Sequence, residues 1–176
     1  MKNRRFKAAV VAGTCAMALF VPTAGLAQAT DEPDVTPKQG IMRTLDKYAH
    51  DYLTENLREA LKAFSDRPDT TVLGTQENEI AIGKQQIAQV LMRAFQQEPA
   101  PTGIRYRVQT INHNREGTLG WVFTWVDVAM PAGPGGGPNV VSIRFTATLE
   151  KNPADGTWQF VQFHDSLPAG SFPPAG

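Results

Sequence analysis

The chain has 176 residues, room for one domain of ordinary size with its own core, and carries 17 basic against 17 acidic side chains. Four of the basic residues, Lys2, Arg4, Arg5 and Lys7, sit at the extreme N-terminus, leaving 13 basic against 17 acidic elsewhere with no Lys/Arg cluster. That balance argues against nucleic acid and anionic membrane surfaces as partners.

The N-terminus reads as a leader. A basic head is followed by an apolar run from Ala8 to Val21, and Ala27-Gln28-Ala29 places small residues at the −3 and −1 positions of a cleavage site. This is the layout of a secretory signal peptide over residues 1–29, with a mature form beginning near Thr30 in the periplasm or outside the cell. The run is shorter than the roughly 20 apolar residues a bilayer span requires, so no membrane span is expected. Arg4-Arg5 supplies positive charge without the surrounding pattern of a twin-arginine signal. The single cysteine, Cys15, lies in the apolar run behind Thr14, where a lipoprotein signal would need a small residue. Once the leader is removed, no thiol remains for disulfides, thiolate catalysis or cysteine-ligated metals.

Residues 30–36 form a polar lead-in expected to be flexible. From Pro37 to Phe64, apolar positions Ile41, Leu45, Tyr48, Tyr52, Leu53, Leu57, Ala60, Leu61 and Phe64 recur at steps of three and four, the stripe of one long amphipathic helix. Pro37 suits its first turn, and Asp66-Arg67-Pro68-Asp69 ends it. Thr70–Gly74 and Glu79–Gly83 read as short strands around a Gln76-Glu77-Asn78 turn. A second helix is expected from Lys84 to Gln97, with Ile87, Val90, Leu91, Ala94 and Phe95 on one face and Pro99 and Pro101 beyond it.

Strand patterns follow from Ile104 to Asn112 and from Gly120 to Met130. The segment Pro131–Pro138 lacks the strand-to-helix setting and lysine of a phosphate loop, and reads as a flexible connection. The last hairpin runs from Val140 to Glu150, turns at Asp155-Gly156 where positive φ is needed, and returns from Trp158 to Ser166. Residues 169–176 form a Pro/Gly-rich tail expected to be flexible. The order is helix, short hairpin, helix, then four longer strands. It implies an α+β layout in which two helices cover one face of a curved antiparallel sheet and enclose a cavity.

Several pieces carry a family resemblance. They are Leu73-Gly74-Thr75 with Glu79 and Gly83, Gly120-Trp121, Arg144-Phe145-Thr146, Asp155-Gly156-x-Trp158 and Phe163-His164-x-Ser166-x-Pro168. In this order and spacing they resemble the SnoaL-like branch of the nuclear transport factor 2-like (NTF2-like) superfamily, over residues 37–168. The ending also resembles the association domain of calcium/calmodulin-dependent protein kinases, with Asp165 where that domain carries an arginine. The resemblance implies the NTF2-like cone, with a long N-terminal helix and a second helix packed on the sheet. It also implies a homodimer formed through the convex face. The superfamily spans ketosteroid isomerases, hydrolases, dehydratases, cyclases and non-enzymatic modules, so the fold leaves function open.

Candidate site residues divide between chemistry and structure. His164 is a candidate general base, or a strand-end histidine bonded to backbone. Arg144 has the forked geometry to hold a ligand carboxylate, or is simply solvated. Asp127 follows Trp121, Phe123 and Trp125 on one strand face, as a pocket carboxylate raised by burial or as a surface aspartate. Tyr48 and Tyr52 are core residues of the helix stripe or hydrogen-bond donors to a ligand. Strand alternation puts Trp158, Phe160, Gln162, His164 and Ser166 on one face of the last strand, and Val161, Phe163 and Asp165 on the other. The expected ligand-binding set is therefore Arg144, Trp125, Asp127, His164 and Ser166, with His164, Asp127 and Tyr48 as catalytic candidates.

His50, His113 and His164 show no ligand spacing, so neither metal nor cofactor is expected. The reading that follows is an exported protein binding a small, largely apolar molecule. Its alternatives are an isomerase, hydrolase or dehydratase of the ketosteroid-isomerase-like type, and a homo-oligomeric assembly module without ligand.

Overall fold

The computed structural model describes residues 35–75, 79–97, 99–132, 136 and 139–168. The expected signal peptide, most of the lead-in, the Gln76-Glu77-Asn78 turn, much of the Pro131–Pro138 connection and the tail lie outside the described residues. Among the described residues, no helix is long and apolar enough to cross a membrane.

Helix α1 spans Pro37–Leu53. Thr36 caps it reciprocally: the Gln39 amide N–H donates to Thr36 Oγ1, and the Thr36 amide N–H donates to Gln39 Oε1. The expected single helix to Phe64 is broken in two. The Asn56 N–H reaches back to the Asp51 carbonyl and the Glu55 N–H to the Tyr52 carbonyl, a Schellman ending with Glu55 at φ 52°. The chain restarts as the short α2, Leu57–Ala60, followed by a 3₁₀ turn at Leu61–Ala63. The apolar stripe survives the break because Leu57, Ala60, Leu61 and Phe64 still turn onto the same core.

Strands β1 (Thr71–Leu73) and β2 (Ile80–Ile82) form the small hairpin, and α3 spans Lys84–Phe95. The long strands are β3 (Gly103–His113), β4 (Leu119–Met130), β5 (Asn139–Lys151) and β6 (Trp158–Ser166). Gly156, at φ 75°, turns the last hairpin as its Asp-Gly predicts. All six strands make one sheet in the order β2-β1-β6-β5-β4-β3. Every pairing is antiparallel except β1 on β6, which is parallel and joins the small hairpin to the main sheet.

One face of the sheet carries the core. Tyr48 packs edge-on against Phe64, Phe160 and Phe163, with ring centroids 5.5–5.7 Å apart, and Phe145 lies 4.8 Å from Phe163. Helix α1 approaches the sheet closely at Gly40, where a Cβ would stand 2.5 Å from the Trp158 indole.

The alternation expected for β6 does not hold along its length. Thr148 pairs with Gln162 and Leu149 with Phe160, so Val161 is an extra residue in a β-bulge. The bulge resets the pleat. Trp158, Phe160, Phe163 and Asp165 consequently share the helix-covered face, whereas Gln162, His164 and Ser166 share the outer one.

Candidate functional site

The core fills the space under α1 but not the region at the far end of β4 and β5. There the sheet and helices α1 and α3 enclose a cavity in two joined compartments, each about 230 Å³. Tyr48, Tyr52, Gln97, Ile143, Phe163 and Asp165 line both. One compartment continues along Ile104, Tyr106, Val126, Val128 and Met130 towards Pro99 and Pro101; the other runs under α3 to Thr75 and Glu79. The walls are mostly aliphatic and aromatic with a few polar groups, the usual make-up of a small-molecule site.

Asp165 is the polar centre of this space. It pairs across the sheet with Phe145, on the face where Phe145, Ala147 and Leu149 are buried. It makes no hydrogen bond or ion pair with another described residue. Burial, reinforced by the negative charge of Glu79, pushes its pKa up to about 7. Around it stand three phenols. Burial holds Tyr48 well above its ordinary value, with Tyr106, Tyr52 and Asp165 adding to the effect. Tyr106 and Tyr52 are raised by burial and then by Asp165. All three therefore remain protonated donors near neutral pH. None of their hydroxyls bonds another described residue. Every sealed side-chain nitrogen or oxygen among the described residues has a partner, so these hydroxyls are open to the cavity.

Glu79 is held near Asp165 by the small hairpin. Its backbone carbonyl accepts from the Gly74 N–H at 2.8 Å, and Thr75 Oγ1 donates to its carboxylate at 3.4 Å.

Tyr48 is the one catalytic candidate from the sequence that faces this cavity. The expected ligand-binding set lies on the outer face instead. Trp125 opposes Arg144 on β5 and Arg107 on β3, and the Arg107 guanidinium stands 5.9 Å from its ring centroid. Asp127 accepts from Ser142 Oγ at 2.7 Å, and from Arg105 and Arg107 at 2.9 Å each. These partners, the serine hydrogen bond first, hold its carboxyl below the usual range, opposite to the rise expected from burial. Arg144 donates to the Leu167 carbonyl at 3.0 Å and pairs with Ser166, while His164 opposes Thr146. None of Arg144, Trp125, Asp127, His164 and Ser166 lines the cavity.

The signal for Asp165 was present in the hairpin. Phe145, Ala147 and Leu149 mark the core face of β5, and pairing Arg144 with Ser166 puts Asp165 opposite Phe145. Alternation counted back through Trp158 and Phe160 hid it, because the bulge at Val161 leaves no mark in residue type.

No curated protein matches the chain. Among solved structures it is similar to an NTF2-like protein of unknown function from Shewanella oneidensis MR-1, with TM-score 0.61 and 12% identity over 74% of this chain and 99% of that one. It is also similar to an NTF2-like superfamily protein from Salmonella enterica serovar Typhimurium, with TM-score 0.58 and 17% identity over 80% and 96%. A ketosteroid isomerase-like protein from Erwinia carotovora atroseptica aligns with TM-score 0.56 and 16% identity over 72% and 92%. At these identities the likeness is one of fold. The family profile for the SnoaL-like domain matches residues 41–170, most of the chain, and so the chain belongs to the SnoaL-like domain family.

Proposed function

We propose that this chain is an exported protein that binds a small, largely apolar molecule in the cavity, with Asp165 as its polar anchor. The observation that carries the reading is a carboxyl group without a partner among the described residues, set in an otherwise mostly apolar space beside three open phenols. A cavity of roughly 150 Å³ holds a benzene ring. Each compartment, at about 230 Å³, accommodates a ring with a substituent. The same open volume weighs against an assembly module that has no ligand.

The test is a thermal-shift screen of small apolar compounds on the mature protein, repeated on Asp165→Asn and Tyr48→Phe. Hits that weaken in both variants support the site. Tight hits unaffected by either variant would place binding elsewhere. Intact mass of the secreted protein checks the leader, with a start near Thr30 expected.

A second reading is proton-transfer catalysis of the ketosteroid-isomerase-like type, favoured by one observation. A carboxyl group whose pKa is about 7 exchanges protons readily at neutral pH, and the neighbouring phenols are placed to donate to a developing oxyanion. Turnover of a β,γ-unsaturated ketone that is lost in Asp165→Asn would establish it. The homodimer is part of the proposal as well, through the outer face of the sheet.

A further inference from the structure

The walls of the cavity have a one-sided charge. Among the described residues lining either compartment there are two carboxyl groups, Asp165 on β6 and Glu79 ahead of β2, and no lysine, arginine or histidine. The other titratable groups facing Asp165 are phenols: Tyr48 and Tyr52 from α1, and Tyr106 from β3. The basic side chains singled out elsewhere in the sheet, Arg105, Arg107 and Arg144, are all engaged on the opposite face.

We infer that the ligand of this cavity is a molecule with an apolar body and a basic amine, carried as a cation against Asp165 and Glu79. This rests on the binding reading above and specifies its ligand class. A carboxylate or phosphate would meet two acids and no lysine, arginine or histidine among the described lining residues, in a space where desolvation strengthens the repulsion. An ammonium group meets the carboxyl groups directly, and the rings of Tyr48, Tyr52, Tyr106 and Phe163 present faces and edges to the rest of the molecule. The charge of Glu79 opposes ionisation of Asp165, and a cation between the two acids relieves that repulsion.

The inference is tested with three probes that share one body and differ in the head group: naphthylmethylamine, naphthylmethanol and naphthoate. Their affinities for the full mature protein are measured by calorimetry between about pH 6 and pH 8. The amine is expected to bind at least about tenfold more tightly than the alcohol, and the carboxylate more weakly than either. Affinity for the amine is expected to rise about tenfold over that pH range, as Asp165 gains its charge, while that of the alcohol stays level or falls. Asp165→Asn should remove most of the amine preference and its pH dependence. Glu79→Gln should reduce the preference without abolishing it.

Naphthoate binding as tightly as the amine would overturn the ligand class and leave the binding site standing. Amine preference that survives both substitutions would also overturn it, because the cation would then be held by other groups. Binding of none of the three probes would defeat the binding reading itself, and this inference with it.

Discussion

At the scale of single residues, the fold turns on where one carboxyl group is put. Asp165 has a folded pKa of about 7, raised above the value near 4 of an exposed chain. A raised acid favours the folded state while both forms are protonated. Its contribution is therefore complete below about pH 4 and is lost as the pH climbs through about 7. Asp165→Asn keeps the shape and never ionises. The variant is expected to be more stable than the parent by about 1–3 kcal/mol near pH 8, with the difference vanishing towards pH 4. Urea titrations of both proteins across that range would check it; parallel curves would mean that Asp165 is solvated. Asp127 shows the opposite logic with the same residue type. Three donors surround it on the outer face, so it remains charged and works as a clasp across β3, β4 and β5.

At the scale of elements, two local irregularities set the site. The first is the break after α1, where Glu55 adopts the left-handed conformation that glycine or asparagine takes at lower cost. Glu55→Gly is expected to raise stability by about 0.5–1 kcal/mol, read as a rise in melting temperature without a change in helix content. A fall in melting temperature would mean that the glutamate side chain supports the turn. The second irregularity is the bulge at Val161, which lets Phe160 and Phe163 both point inwards. Without the bulge the two would face opposite sides, and either the core or Asp165 would be on the wrong one.

At the scale of the whole molecule, the helices cover one face of the sheet, and among the described residues no helix covers the other. Strand β6 gives no motive for the homodimer that the family resemblance implies, because Trp158, Phe160 and Phe163 are all buried inside the subunit. The outer face nevertheless exposes Leu119, Trp121 and Phe123 in a row along β4, with Val140 at 53% on β5. Such a row of large apolar side chains marks an interaction surface. With a second copy as the occupant, Trp121→Arg and Phe123→Glu are each expected to convert the dimer to a folded monomer, read by light scattering at micromolar concentration. A parent protein that is already monomeric would remove the dimer from the account.

The sequence by itself determined the element types, their order and the core stripe, because hydrophobic periodicity and turn chemistry are local and each strand or helix records them residue by residue. Ile41, Leu45 and Tyr48 declared the buried face of α1, and Asp155-Gly156 declared the last turn, before any contact was known. Tertiary structure alone decided which polar residues share a cavity. Trp125, Asp127 and Arg144 read as a site because they are polar or aromatic on neighbouring strands, but the face they share is the one the helices do not cover. Asp165 and Glu79 lie far apart in the chain, and they meet only because β1 adds in parallel to β6 and a single extra residue turns the pleat. Burial and the nearby charge of Glu79 act on Asp165 only in that assembled space, and no periodicity records it.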